Sequence, residues 1–133
     1  MTEEKNKFVD VIAKLIELTQ KNKIKWEATD PKVVANNNPK YKIGQVFIAE
    51  HKGKWLRIHK YSFETTNDLS SVGFFIGQSK KSWETTFMLE ITDERGNRLW
   101  KFPYINALGD LFSSIEYQAA GVIEFIDDIL GEK

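Results

Sequence analysis

A chain of 133 residues and 15.4 kDa has the length of one domain, residues 1–133, with enough of it apolar to build a core. Its 41% hydrophobic content, four Trp and nine Phe exclude intrinsic disorder, and 19 bases against 19 acids leave no net charge. No apolar run approaches the roughly 18 residues of a membrane span, and the absence of cysteine excludes disulfides, zinc–thiolate sites and a thiol nucleophile.

Thr2 before Glu3 and Glu4 marks a helix start with acids in the first turn. Phe8, Val11, Ile12, Leu15, Leu18 and Thr19 follow at helical spacing, which predicts an amphipathic helix over residues 3–21. Val9 and Ile16 widen its apolar stripe. Ile24, Trp26 and Ala28 then alternate with Lys23, Lys25 and Glu27 as a short strand with one buried face, ended by Asp30-Pro31. The opening MTEEKNKF does not read as a signal peptide, so a cytoplasmic location is expected.

LIELT, a basic turn and then KIKWE resemble the start of small uncharacterised bacterial proteins laid out as helix, antiparallel sheet and helix. The resemblance is carried by residues 10–30 and continues as a layout over the rest. It implies a fold and no activity.

Residues 33–39 read as a loop, with three consecutive asparagines suited to turns. Residues 40–63 predict a hairpin turning at Lys52-Gly53, where a two-residue turn needs positive φ. That turn pairs Ala49 with Leu56 and Phe47 with Ile58 on one face, an ordinary core. The other face pairs Glu50 with Trp55, Ile48 with Arg57 and Val46 with His59, and continues to Tyr61. Residues 64–71 (ETTNDLSS) read as a second polar loop, and residues 71–79 (SVGFFIGQS) as a strand whose glycines mark close backbone approach.

A second hairpin turns at Arg95-Gly96. Its register sets Leu89 against Phe102 and Ile91 against Trp100 in the core, with Glu90 opposite Lys101 on the solvent side and Asp93 opposite Arg98. Asn106 is a candidate cap for a helical segment carrying Leu108, Leu111, Phe112 and Ile115, then Val122, Phe125, Ile126 and Ile129. Gly121 falls between the two stripes and predicts a bend or a weakened helix. Glu124, Asp127, Asp128 and Glu132 place acids where the helix dipole disfavours them, and a basic neighbour would relieve this.

The expected fold is α+β, a five- to six-stranded mostly antiparallel sheet with N-terminal and C-terminal helices packed on one face. No metal site is expected, because His51 and His59 point to opposite faces of the hairpin, and no cofactor or catalytic residue is assigned. A Glu50–His59 pair is the one arrangement suited to acid–base work. The charge is uneven: residues 21–60 carry ten bases and three acids, residues 61–133 six bases and twelve acids. That asymmetry fits an anionic partner, head-to-tail self-association, or halves that interleave and cancel.

The candidate binding residues are Trp55, Arg57, His59, Tyr61 and Glu50, a mix of rings and cations on one sheet face. If the protein itself seals this face, Arg57 needs a carboxylate, and Glu50 is the candidate. The expectation is a non-enzymatic interaction domain whose partner is another protein or a second copy as a homodimer, with no membrane. A small ligand, a peptide or single-stranded nucleic acid on that face is the alternative, nucleic acid ranking last because the chain is neutral.

Overall fold

A computed structural model describes residues 2–34, 41–68 and 79–132. Helix α1 (Thr2–Gln20) covers the expected stretch, burying Ile12, Leu15 and Thr19. Strand β1 (Glu27–Thr29) is shorter than the alternation predicts, yet Ile24 and Trp26 are buried in the core. A 3-10 turn at Pro31–Val34 follows. The sheet continues through β2 (Tyr41–His51), β3 (Lys54–Asp68), β4 (Ser79–Thr92) and β5 (Arg98–Lys101). Helices α2 (Ala107–Ala119) and α3 (Val122–Gly131) close the chain.

All neighbouring strands are antiparallel and their spatial order is β1-β2-β3-β4-β5, so each strand pairs with the next in sequence. The five-stranded α+β fold matches the expectation. The first hairpin has the expected register, from His51 opposite Lys54 to Val46 opposite His59. Lys52 and Gly53 both have positive φ, 51° and 81°, as a primed two-residue turn requires. The pairing shifts between Ile43 and Val46. A Cβ on Gly44 there would come within 3.3 Å of the Lys60 carbonyl oxygen.

Helices α1 and α2 lie on one face of the sheet. Ile12 and Leu15 from α1, Leu108, Leu111, Phe112 and Ile115 from α2, and Phe47, Ala49, Leu56, Ile58 and Leu89 from the strands form one core. The two helices, from opposite ends of the chain, are fastened by Gln118. Its Oε1 accepts the Trp26 N–H at 2.8 Å, and its Nε2 donates to the carbonyls of Ile24 at 2.7 Å and Thr19 at 3.0 Å. Trp26 Nε1 in turn donates to the Thr19 hydroxyl at 3.0 Å. These bonds satisfy backbone groups that the chain exposes as it leaves α1.

Several local expectations are corrected. Residues 64–68 continue β3 instead of starting a loop, because β4 pairs with them and the Thr65 hydroxyl meets that of Ser82 at 2.8 Å. The strand predicted over residues 71–79 and the asparagine loop lie outside the described residues, apart from Val33 and Val34 in the 3-10 turn and Ser79 in β4. Asn106 precedes α2 in helical conformation and makes no side-chain capping bond. Trp100 opposes Ile91 as expected but is 42% exposed, since β5 is the sheet edge; Phe8 of α1 stacks on it and Phe102 meets it edge-on, with ring centroids 5.5 and 4.8 Å away. Gly121 adopts the left-handed conformation (φ 65°), so the C-terminal segment is two helices. Helix α3 turns away from the core and buries none of its residues.

Candidate functional site

The sheet face opposite the helices carries Trp55, Arg57, His59 and Tyr61 side by side on β3, as their alternation dictates. Their environments differ sharply. Arg57 and His59 are buried, at 4% and 2% exposure, while Trp55 and Tyr61 are half-buried and Glu50 is exposed.

The carboxylate that Arg57 requires comes from Glu90 on β4, directly opposite, and not from Glu50. Glu90 was expected to face solvent opposite Lys101; the backbone pairing is as expected, but the side chain is fully buried. Arg57 Nε donates to Glu90 Oε1 at 2.9 Å, and Arg98 Nε donates to Oε2. Arg98 reaches this position because β5 skips a residue: Trp100 opposes Ile91, and then Arg98, not Leu99, opposes Thr92. The expected Asp93–Arg98 pairing is therefore not formed, and Leu99 is pushed outward to 63% exposure.

The β4–β5 turn completes the enclosure. Asp93 Oδ1 accepts the backbone N–H groups of Arg95 and Asn97 at 2.9 and 2.8 Å, and Gly96 follows with φ 88°. The bond from the Asn97 backbone leads the interactions that hold the Asp93 carboxyl below its ordinary value. Shaped this way, the turn presents the Gly96 carbonyl to Arg57 Nη1 at 2.7 Å.

Burial by itself raises the pKa of the Glu90 carboxyl. His59, Arg57 and Arg98 together outweigh it and hold the group at about 2, so it is ionised at neutral pH. His59 Nδ1 lies 3.4 Å from Glu90 Oε1, close enough for attraction but not aligned as a hydrogen bond. The acid beside the imidazole is thus Glu90 and not the Glu50 of the expected acid–base pair. Among the described residues, no three His, Asp or Glu side chains converge as metal ligands.

Beside this cluster an open cavity of about 540 Å³ is lined by Val33, Tyr41, His59, Tyr61, Met88 and Arg98, among others. Tyr61 sits within a row of rings, with centroids 5.8 Å from His59, 6.4 Å from Tyr41 and 6.2 Å from Phe63. Burial raises the pKa of the Tyr61 hydroxyl, and Tyr41 adds to the effect.

A second surface lies at the other side of the molecule. On α3, Val122, Phe125, Ile126 and Ile129 recur at i, i+3, i+4 and i+7, the spacing of a face made to be covered. Phe125 is 64% exposed and Leu130 78%, with Ile123, Ile126 and Ile129 also open to water. With residue areas of about 200 Å², these five leave roughly 500 Å² of apolar surface uncovered, at the upper end for a monomer. By the 3.6-residue turn, Asp127 flanks this face on one side and Asp128 and Glu132 on the other. Residues 122–132 contain four acids and no base. A groove of about 440 Å³ between the end of α1, α2 and α3, lined by Tyr117 and Ile123 among others, continues the surface.

The sequence marks the apolar positions of α3 but does not show that they stay uncovered. Glu90 was missed as a site residue because the connection between β3 and β4, residues 69–78, leaves no local signature of their register, and Arg98 because its place depends on a slip between β4 and β5. No described helix is long and apolar enough to cross a membrane. Compared with protein-family models, with curated proteins and with solved structures, the chain matches none.

Proposed function

We propose that the chain is a non-enzymatic interaction module that docks a partner protein through the apolar face of α3. One observation carries this reading: a regular amphipathic helix with no buried residue and five large apolar side chains in water. The occupant we favour is an amphipathic segment whose apolar stripe is flanked by lysine or arginine. Such a segment would neutralise Asp127, Asp128 and Glu132, which the α3 dipole leaves unfavourably placed. A second copy of the chain would set two acidic rims against each other, and the homodimer reading loses weight for that reason.

The test uses two synthetic helical peptides with the same leucine face, one flanked by lysines and one by glutamates, titrated into the full chain by fluorescence anisotropy. The lysine peptide is expected to bind and the glutamate peptide not. The double substitution Phe125→Ser with Ile129→Ser should abolish binding and leave the melting temperature within about 2 °C, because neither side chain is buried. Failure of the lysine peptide to bind refutes the reading. A stable dimer in sedimentation equilibrium, dispersed by the same substitution, refutes it in favour of self-association.

A further inference from the structure

The cavity on the open sheet face joins two kinds of wall. Tyr41 and Tyr61 supply aromatic rings, and Met88 and Val33 an apolar patch, to one part of it. Arg98 gives it a cationic side, with Arg57 directly behind, bonded to the same carboxylate.

The charges there do not cancel. Two guanidiniums share the single carboxylate of Glu90, whose two oxygens are already taken by the Nε atoms of Arg57 and Arg98. Arg57 is further occupied by the Gly96 carbonyl. Arg98 is different. Its side chain is 48% exposed, and among the described residues its one bond beyond Glu90 is to the Met88 sulfur at 3.2 Å, a weak acceptor. Most of its planar array of N–H groups is therefore without an acceptor among the described residues, held in place by the Glu90 bond. His59, 2% exposed, also lines the cavity, with its Nδ1 turned to Glu90 at 3.4 Å. A positive field inside a concavity is less screened than one on an open surface.

We propose that this cavity is a binding site for a small organic anion, a carboxylate or phosphate carried on a flat ring. The anionic group is taken by the open edge of Arg98, and the ring lies against Tyr41 and Tyr61. The aromatic wall matters because an anion alone would gain little from a half-exposed arginine, whereas ring contact adds apolar burial and stacking. This site is separate from the α3 surface, and neither proposal depends on the other.

Phenyl phosphate is the probe, titrated to roughly 10 mM into the isotopically labelled full chain and followed by NMR, a range suited to weak single-site binding. Saturable shifts are expected at Tyr41, Tyr61 and Arg98. Inorganic phosphate and phenol, each carrying half of the recognition, should bind at least about tenfold more weakly. Arg98→Lys keeps a charge beside Glu90 but removes the planar fork, and should weaken phenyl phosphate binding about tenfold while the spectrum stays folded. Tyr61→Leu should abolish the preference for phenyl phosphate over inorganic phosphate. Absence of saturable shifts, shifts that map elsewhere, equal binding of inorganic phosphate, or indifference to both substitutions would overturn the proposal.

Discussion

Replacing Glu90 by glutamine removes one negative charge at almost constant volume, and its cost can be worked from the structure. The carboxyl sits at about 2 instead of its ordinary 4.5, which corresponds to about 3 kcal/mol in favour of the folded, ionised form. The variant also leaves Arg57 buried beside a neutral amide, one end of which must face a guanidinium. Removing one partner of a buried ion pair typically costs about 3–5 kcal/mol. Urea denaturation at pH 7 should therefore show a loss of about 3–4 kcal/mol, near 10 °C in melting temperature for a domain of this size. The pH dependence has a definite sign. A carboxyl whose pKa is depressed by folding contributes fully above its unfolded value and loses that contribution as pH falls towards the folded value. The gap between wild type and variant should accordingly narrow by about 2 kcal/mol between pH 7 and pH 3. Replacing the pair together, Arg57→Met with Glu90→Leu, should recover part of the loss, since an apolar pair avoids burying charge. A Glu90→Gln cost below about 1 kcal/mol, or one indifferent to pH, would refute an ionised and closed-off Glu90.

Two further predictions concern packing. Gln118→Ala removes three bonds to backbone groups of residues 19–26 and should cost about 2–3 kcal/mol in urea denaturation, the price of orphaned, part-buried donors and acceptors; a cost under about 0.5 kcal/mol would mean that water replaces the amide. Trp100→Ala should cost only about 1–2 kcal/mol, less than a fully buried aromatic, because the ring is 42% exposed, and a double-mutant cycle with Phe8→Ala should return about 0.5–1.5 kcal/mol of coupling.

What the sequence discloses is what repeats over short distances. The alternation of β2 and β3 around Lys52-Gly53 contains its own register, and the hairpin pairs as read. The stripe on α1 and the interruption at Gly121 are equally local signals. Non-local facts were hidden. Glu90 lies between Leu89 and Ile91 in an alternation that places it outside the helix-facing core, which it is; alternation does not say whether that outer face meets water or an arginine from β3. Residues 64–68 have loop composition and become strand because β4 supplies partners for their backbone. Arg98 depends on a one-residue slip in β5 that hydrophobic pattern cannot register. Of the expected binding residues, Arg57 and His59 proved to be interior, and the ring row around Tyr61 stays partly open.

The fastening of Thr19, Ile24 and Trp26 to Gln118 joins segments 92 to 99 residues apart, whereas every strand of the sheet finds its partner in the next one along. Folding rates follow this difference, since hairpins close short loops and the union of α1 with α2 must close nearly the whole chain. The meander can therefore assemble before the helices dock on it. Until they do, Phe47, Leu56, Ile58 and Leu89 form a bare apolar sheet face, the kind of surface on which folding chains stick to one another. Docking at the α1–α2 seam is the step that covers that face. A weakened seam would first be felt as lower yield at high concentration, before any change in the finished protein.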